Sequence, residues 1–202
     1  KTGVSNALTQ YSRSIDVNKF GGRFKYSKAV SLVDNVDTAI TSNITLVTIR
    51  RNLKAVIGQF AQYEVCYGNR FHTQETSYNI VSTGFTIEGD VGTVYMADEV
   101  INGETGRIFF FTYSEGGTPN IIKKNAGTVK YLIGEILIDT CNITSTTIAN
   151  NVVEIQAIPH SNDVIGLRDL YVKFDMTNTT INMITDLISS GENTSGSQFV
   201  HT

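Results

Sequence analysis

Tryptophan is missing from this sequence, and cysteine, proline and histidine are scarce, at two, two and three residues. Each scarcity excludes something. Cys66 and Cys141 lie far apart, with no CxxC pair, so neither a disulfide framework nor a zinc ribbon is expected, only two reduced thiols in apolar surroundings. His72, His160 and His201 include no pair at the i, i+4 spacing of a helical metal site, and no metal is expected. Basic residues number 16 against 19 acidic, a net charge of −3, which leaves no overall excess for gripping a phosphate backbone. Nucleic acid is therefore not an expected partner. No apolar run reaches the roughly 18 residues needed to cross a bilayer, and residues 1–10 lack the apolar stretch of a signal peptide, so no membrane role is expected either. The chain opens on Lys1 rather than Met, as a fragment cut from a longer polypeptide would.

What is present is a core former's composition. Of 202 residues 41% are hydrophobic and 17% charged, with nine Tyr and ten Phe, enough to bury a sizeable interior without cross-links. Val, Ile, Thr, Tyr and Phe gather in short runs bounded by Gly, Asn, Asp and Ser, the signature of strands. Residues 44–50 and 63–67 read as two strands able to pair. Between them Leu53, Val56, Ile57 and Phe60 stand at helical spacing, and Gly58 leaves a helix and an irregular connection both open. From Tyr78 a meander follows, with strands at 79–88, 93–96 and 107–113, and Asn102-Gly103 sits in a connection where positive φ is cheap. Residues 127–139 read as a hairpin turning at Gly134, and 152–158 and 170–176 as further strands. In the last, Leu170, Val172, Phe174 and Met176 face one side, and Tyr171, Lys173 and Asp175 the other.

Two helices are expected beside the strands. Ser27 would cap the first, carrying Ala29, Val30 and Val33. Thr179 or Thr180 would cap the second, with Ile181, Ile184, Leu187 and Ile188 as its stripe and Gly191 as its stop. The fold class is thus α+β and predominantly β, with antiparallel strands and hairpins and two short helices. Residues 1–77 together with 140–191 are expected to form the main domain, with 78–139 an inserted meander and 192–202 a loose tail.

A search for chemistry finds no catalytic equipment. No GxSxG elbow occurs. Gly21-Gly22-Arg23 lacks the strand and the Lys-Ser/Thr ending of a phosphate loop and reads as a tight turn, as Gly116-Gly117 reads as a loop tip. Asp139, Asp163, Asp169 and Asp175 are assigned to surface and turns. Arg50 and Arg51, adjacent on a strand, must point to opposite faces. They are candidate interface residues, as are Ile184, Leu187 and Ile188. No catalytic, cofactor-binding or metal-binding residue is expected. The rival to a structural role is a carbohydrate-binding module of adhesin or tail-fibre type, in which Tyr63, Tyr67, Tyr78, Tyr95, Tyr113 and Tyr131 would stack sugars.

In order along the chain stand DVNKFGGRF (16–24), VDNVDTAITSNITLVTIRRNL (33–53), QYEVCYGNRFH (62–72), GTVKYLIGEILI (127–138) and IPHSNDVIGLRDLYVKFD (158–175). This series resembles the C-terminal region of the inner wedge subunit of T-even-like phage baseplates, in the baseplate-J-like superfamily, whose hairpin carries a similar Gly-Thr-x-x-Tyr-x-x-Gly. The resemblance implies a non-enzymatic virion protein, assembled in the bacterial host cytoplasm. It would join wedge neighbours in the ring around the central hub of a contractile tail, and rearrange when the sheath contracts. The implied partners are other wedge proteins and copies of itself, through a homodimer contact. The implied cofactors are none.

Overall fold

The computed structural model describes residues 1–185 apart from Glu75, Val91 and Asp169. In chain order the elements are α1 (Thr2–Ser12), β1 (Arg23–Phe24), α2 (Tyr26–Asp34), β2 (Ile49–Lys54), β3 (Phe60–Cys66), β4 (Ile80–Ser82), β5 (Phe85–Ile87), β6 (Tyr95–Val100), β7 (Thr105–Tyr113), β8 (Pro119–Lys130), β9 (Glu135–Thr146), β10 (Val152–Ala157) and β11 (Val164–Ile165). The fold is predominantly β with two helices, as expected, and every strand pair is antiparallel.

Alternation along the strands builds the main core. Ile80, Met96, Ile108, Phe110, Val129, Ile136, Ile138, Val153 and Ile155 all turn to one side of a nine-stranded sheet and are buried there. A sheet that buries one face of so many strands must curl around it. The strand order is β2-β10-β4-β6-β7-β8-β9-β3, with β5 attached to β9. Its two ends, β2 and β3, come together without a ladder. Arg51 Nη1 donates to the Cys66 carbonyl, the Val56 N–H donates to Tyr63 Oη at 3.2 Å, and Tyr67 Oη donates across to the Ile155 carbonyl at 2.6 Å. The result is a nearly closed barrel with a seam held by side chains.

One charge is buried within it. Asp98 is 2% exposed, and its carboxylate accepts from the backbone N–H groups of Asn79 and Ile80 at 2.7 and 2.8 Å, from Asn79 Nδ2 at 3.2 Å and from Tyr131 Oη at 2.7 Å. Four donors replace the water that the carboxylate gave up. Burial, together with that acid beside it, pushes the Tyr131 hydroxyl up from its ordinary pKa.

A second, smaller core lies outside the barrel. Tyr11, Val17, Phe24, Ala29 and Val164 pack with Leu8, Leu32, Val172 and Phe174. Tyr11, Phe24 and Phe174 form an aromatic trio with ring centroids 5.2 to 6.0 Å apart. Ile49 touches both cores. The unit is also laced to the barrel by Asn69, whose side chain exchanges two hydrogen bonds with the Ile165 backbone, at 2.8 and 2.9 Å.

Several expectations change. The first strand starts at Ile49 rather than Ile44, and it pairs with β10, not with β3. Residues 55–59 form an irregular connection, with Gly58 at φ +72°. The helix α1 has no counterpart in the sequence reading, although Val4, Ala7, Leu8 and Tyr11 stand at helical spacing along it. The helix α2 is where it was expected, but Ser27 lies inside it. Lys25 is the N-cap, and the capping acceptor is Asp163 Oδ1, which takes the Tyr26 N–H at 2.8 Å. Residues 170–176 keep the expected alternation, with Tyr171 and Lys173 outward, yet they form only a bridge from Tyr171 to Phe20. The helix expected from Thr179 or Thr180 is not formed over the described residues 179–185, and among the described residues Ile184 is left 91% exposed. At Asn102-Gly103 neither residue takes positive φ. The Asn102 carboxamide oxygen holds the turn instead, accepting from the N–H groups of Glu104 and Thr105 at 2.9 and 2.8 Å. Gly134 turns the β8–β9 hairpin at φ +64°, and Gly117 a loop tip at φ +75°, both as read from the sequence. The strands of 78–139 share one sheet with those on either side of them.

Candidate assembly surfaces

Residues 41–48 run outside any ladder on the way from α2 to β2. Thr45 and Val47 face inward: Tyr26 Oη donates to the Thr45 carbonyl at 3.1 Å, and Val47 packs on the smaller core. Ile44 and Leu46 therefore face outward, and they are 93% and 89% exposed. Two large apolar side chains presented side by side on an extended backbone cost solubility, and proteins keep such a feature where something covers it. Sequence reading placed Ile44 and Leu46 in a strand over residues 44–50. The alternation is real, but no ladder forms before Ile49.

The candidate interface residues fare differently from one another. Arg50 is committed inside the chain: Nη1 lies 3.0 Å from Glu154 Oε2 and Nη2 lies 2.6 Å from Asp175 Oδ2, which ties the barrel to the 170s. Arg51 points the other way, as adjacent strand positions require, and closes the seam on Cys66. Ile184 is 91% exposed, and Leu187 and Ile188 lie outside the described residues.

The Asp175 carboxyl is held below its ordinary pKa, chiefly by the hydrogen bond from the Asn178 side chain, with smaller help from the Asn178 backbone N–H and the Arg50 charge. A depressed carboxyl contributes stability above its unfolded value that is lost as pH falls through its folded one. Below about pH 4 the melting temperature should accordingly fall more steeply for the native chain than for Asp175→Asn. Parallel curves in thermal melts from pH 5 to pH 2.5 would count against this clamp.

Of the six tyrosines considered for sugar stacking, Tyr63, Tyr67 and Tyr131 are buried in the barrel. Tyr78, Tyr95 and Tyr113 instead meet on its outside, around Phe109 and Phe111, with ring centroids 5.0 to 6.3 Å apart. The run Phe109-Phe110-Phe111 carries the signal, since a strand apolar at three successive positions is covered on both faces.

Glu64, Cys66 and Glu135 bring one ligand atom each to within 4.8 Å of one another. The groups are already partnered: the Cys66 thiol donates to Glu64 at 3.1 Å and Lys130 lies 2.6 Å from Glu135. The Glu64 hydrogen bond, burial and the two acids raise the Cys66 thiol, opposite to the direction a metal-binding or nucleophilic thiolate needs.

A cleft of about 250 Å³ opens beside the smaller core, lined by Tyr11, Asp16, Lys19, Gly21, Arg23, Lys25 and Lys28. The stretch 16–24 builds it as a tight turn. Arg23 N–H donates to the Asp16 carbonyl at 2.9 Å and Gly22 N–H to the Lys19 carbonyl at 3.0 Å. A Cβ at Gly22 would strike the Val17 carbonyl. The turn reading of Gly21-Gly22 holds, while the gathering of cations that it causes was not visible as spacing.

Residues 1–52 match the model of a family described as baseplate structural protein gp6, C-terminal domain III. The match supports a structural role in a phage baseplate. It covers both helices, β1, the exposed segment at 41–48, the cationic turn and the start of β2. No curated protein matches the chain. The matched family is one of structural proteins, in keeping with a site made of surfaces. The same match supports a location in the tail baseplate of the virion.

Proposed function

We propose that the chain is part of a baseplate wedge in a contractile phage tail, joining neighbouring wedge subunits around the central hub and moving with them when the sheath contracts. The observation that carries the proposal is the coincidence of the matched region with the exposed Ile44 and Leu46 pair. The partners are other wedge proteins and a second copy of the chain, in a homodimer contact within the larger ring. Ile184, Leu187 and Ile188 supply a second apolar contact. Arg50 and Arg51 fix the strand that begins just after the exposed segment, and so set the angle at which that segment is offered.

Light scattering on a size-exclusion column, over a roughly hundredfold range of concentration, tests this reading. The native chain is expected to dimerise and to dissociate on dilution. Ile44→Asp with Leu46→Asp should leave the melting temperature nearly unchanged, since both side chains stand in solvent, and should weaken association by about a hundredfold, the scale of two lost anchors. A folded double variant that associates as the native chain does would move the contact away from this segment.

A further inference from the structure

The cationic cleft described above belongs neither to the proposed apolar contact nor to any catalytic set. Its lining carries Lys19, Arg23, Lys25 and Lys28 against one carboxylate, Asp16, in a chain whose overall charge is −3. Lys28 is spoken for, with Nζ 3.2 Å from Asp16 Oδ2 and 5.3 Å from the centre of the Tyr11 ring. Among the described residues no carboxylate lies within ion-pair distance of Lys19, Arg23 or Lys25. Like charges gathered on one turn repel, and a fold that keeps them together without counter-charges gains from an anion arriving from outside.

We propose that this cleft docks a carboxylate-rich peptide segment of a partner protein. Two features select that occupant over a free inorganic anion. The cations stand apart around an open cleft and are exposed, an arrangement that steers and orients a partner more than it encloses one ion. At the nearby N-terminus of α2 the Asp163 side chain already takes the Tyr26 N–H at 2.8 Å, which puts an acidic group where a free anion would seek the helix end. Tyr11 joins the lining, and its hydroxyl accepts the Lys25 N–H at 2.9 Å, which fixes the backbone that carries Lys25. Arg23 offers the planar fork that matches a carboxylate, and Lys19 and Lys25 flank it as point charges. The inference does not depend on the wedge reading, because the charge imbalance stands whatever assembly the chain enters.

The test uses the whole chain and a fluorescein-labelled ten-residue oligoglutamate peptide, followed by fluorescence anisotropy. Binding should appear at about 50 mM salt and weaken by about tenfold at about 200 mM, as screening requires. Arg23→Glu with Lys25→Glu should lose at least about tenfold in affinity, and the milder Lys19→Gln with Arg23→Gln should lose several-fold, each with an unchanged circular dichroism spectrum. Lys54→Glu with Lys124→Glu, which reverses two exposed charges on β2 and β8, should stay within about twofold of the native chain. Absence of binding at low salt overturns the proposal, and so does an equal loss in the Lys54 and Lys124 variant. Displacement of the peptide by inorganic phosphate at matched ionic strength overturns the peptide assignment in favour of a small-anion site.

Discussion

Asp98→Ala should lower the stability of the folded chain by about 4 kcal/mol and its melting temperature by about 10 °C. The substitution removes the acceptor of four donors at once: two backbone N–H groups, the Asn79 carboxamide and the Tyr131 hydroxyl. The backbone pair matters most, because Asn79 and Ile80 cannot turn their N–H groups elsewhere without moving β4. Each buried donor left unmatched costs roughly 1–3 kcal/mol. Asp98→Asn is the informative comparison. Its oxygen can still serve the two backbone donors, but its amide nitrogen faces Asn79 Nδ2 and Tyr131 Oη, so about 2 kcal/mol of the loss should remain. Urea or thermal denaturation of the two variants measures the difference. Equal stabilities for Ala and Asn would mean that water reaches the vacated space and that the carboxylate is no keystone.

Gly134→Val should cost about 4 kcal/mol and leave little folded protein in expression trials. Two effects combine at that residue. Its φ of +64° is a left-handed conformation that a β-branched side chain strongly resists. A Cβ there would also collide with the Asn69 carbonyl, on the segment that ties the barrel to the smaller core. Gly117→Ala separates the two, because Gly117 shares the positive φ, at +75°, while a Cβ there meets nothing within 4 Å. It should cost only about 1 kcal/mol. The Gly134→Val loss, read by denaturant titration, should exceed the Gly117→Ala loss severalfold. Comparable losses would show that the Asn69 backbone gives way readily.

Local chemistry made much of this fold legible. The hairpin at Gly134, the helix over Ala29 to Val33 and the strands at 107–113 and 152–158 rest on turn residues and on short apolar patterns, and those signals act within a dozen positions, whereas the one strand read over 79–88 divides into β4 and β5, which pair with different neighbours. The pairing of β2 with β10 was not legible, because it joins residues about a hundred positions apart, and no short pattern states which strand will be the neighbour. The apolar spacing from Ile181 to Ile188 fits a helix, yet among the described residues 182–185 stay exposed, and a short helix gains most of its stability from packing. At the candidate surfaces the sequence showed the residue types and hid their direction. Ile44 and Leu46 alternate correctly, but which face is buried depends on where α2 and the Tyr26 hydroxyl lie. The cations at 19, 23, 25 and 28 form one wall only because the turn at Gly21-Gly22 folds back on itself.

The side-chain seam between β2 and β3 has a consequence for how the chain is made. These strands are five residues apart in sequence, yet each finds its ladder partner much later, β3 in β9 and β2 in β10. A nascent chain leaving the ribosome carries β2 with an open edge until residues 152–157 have emerged, and an open edge is a template for pairing with another molecule. High contact order of this kind slows folding. The charges that β2 carries at Arg51 and Lys54 can discourage such mispairing during that wait. The part of the seam that Tyr67 Oη makes with the Ile155 carbonyl has to wait for β10 to emerge.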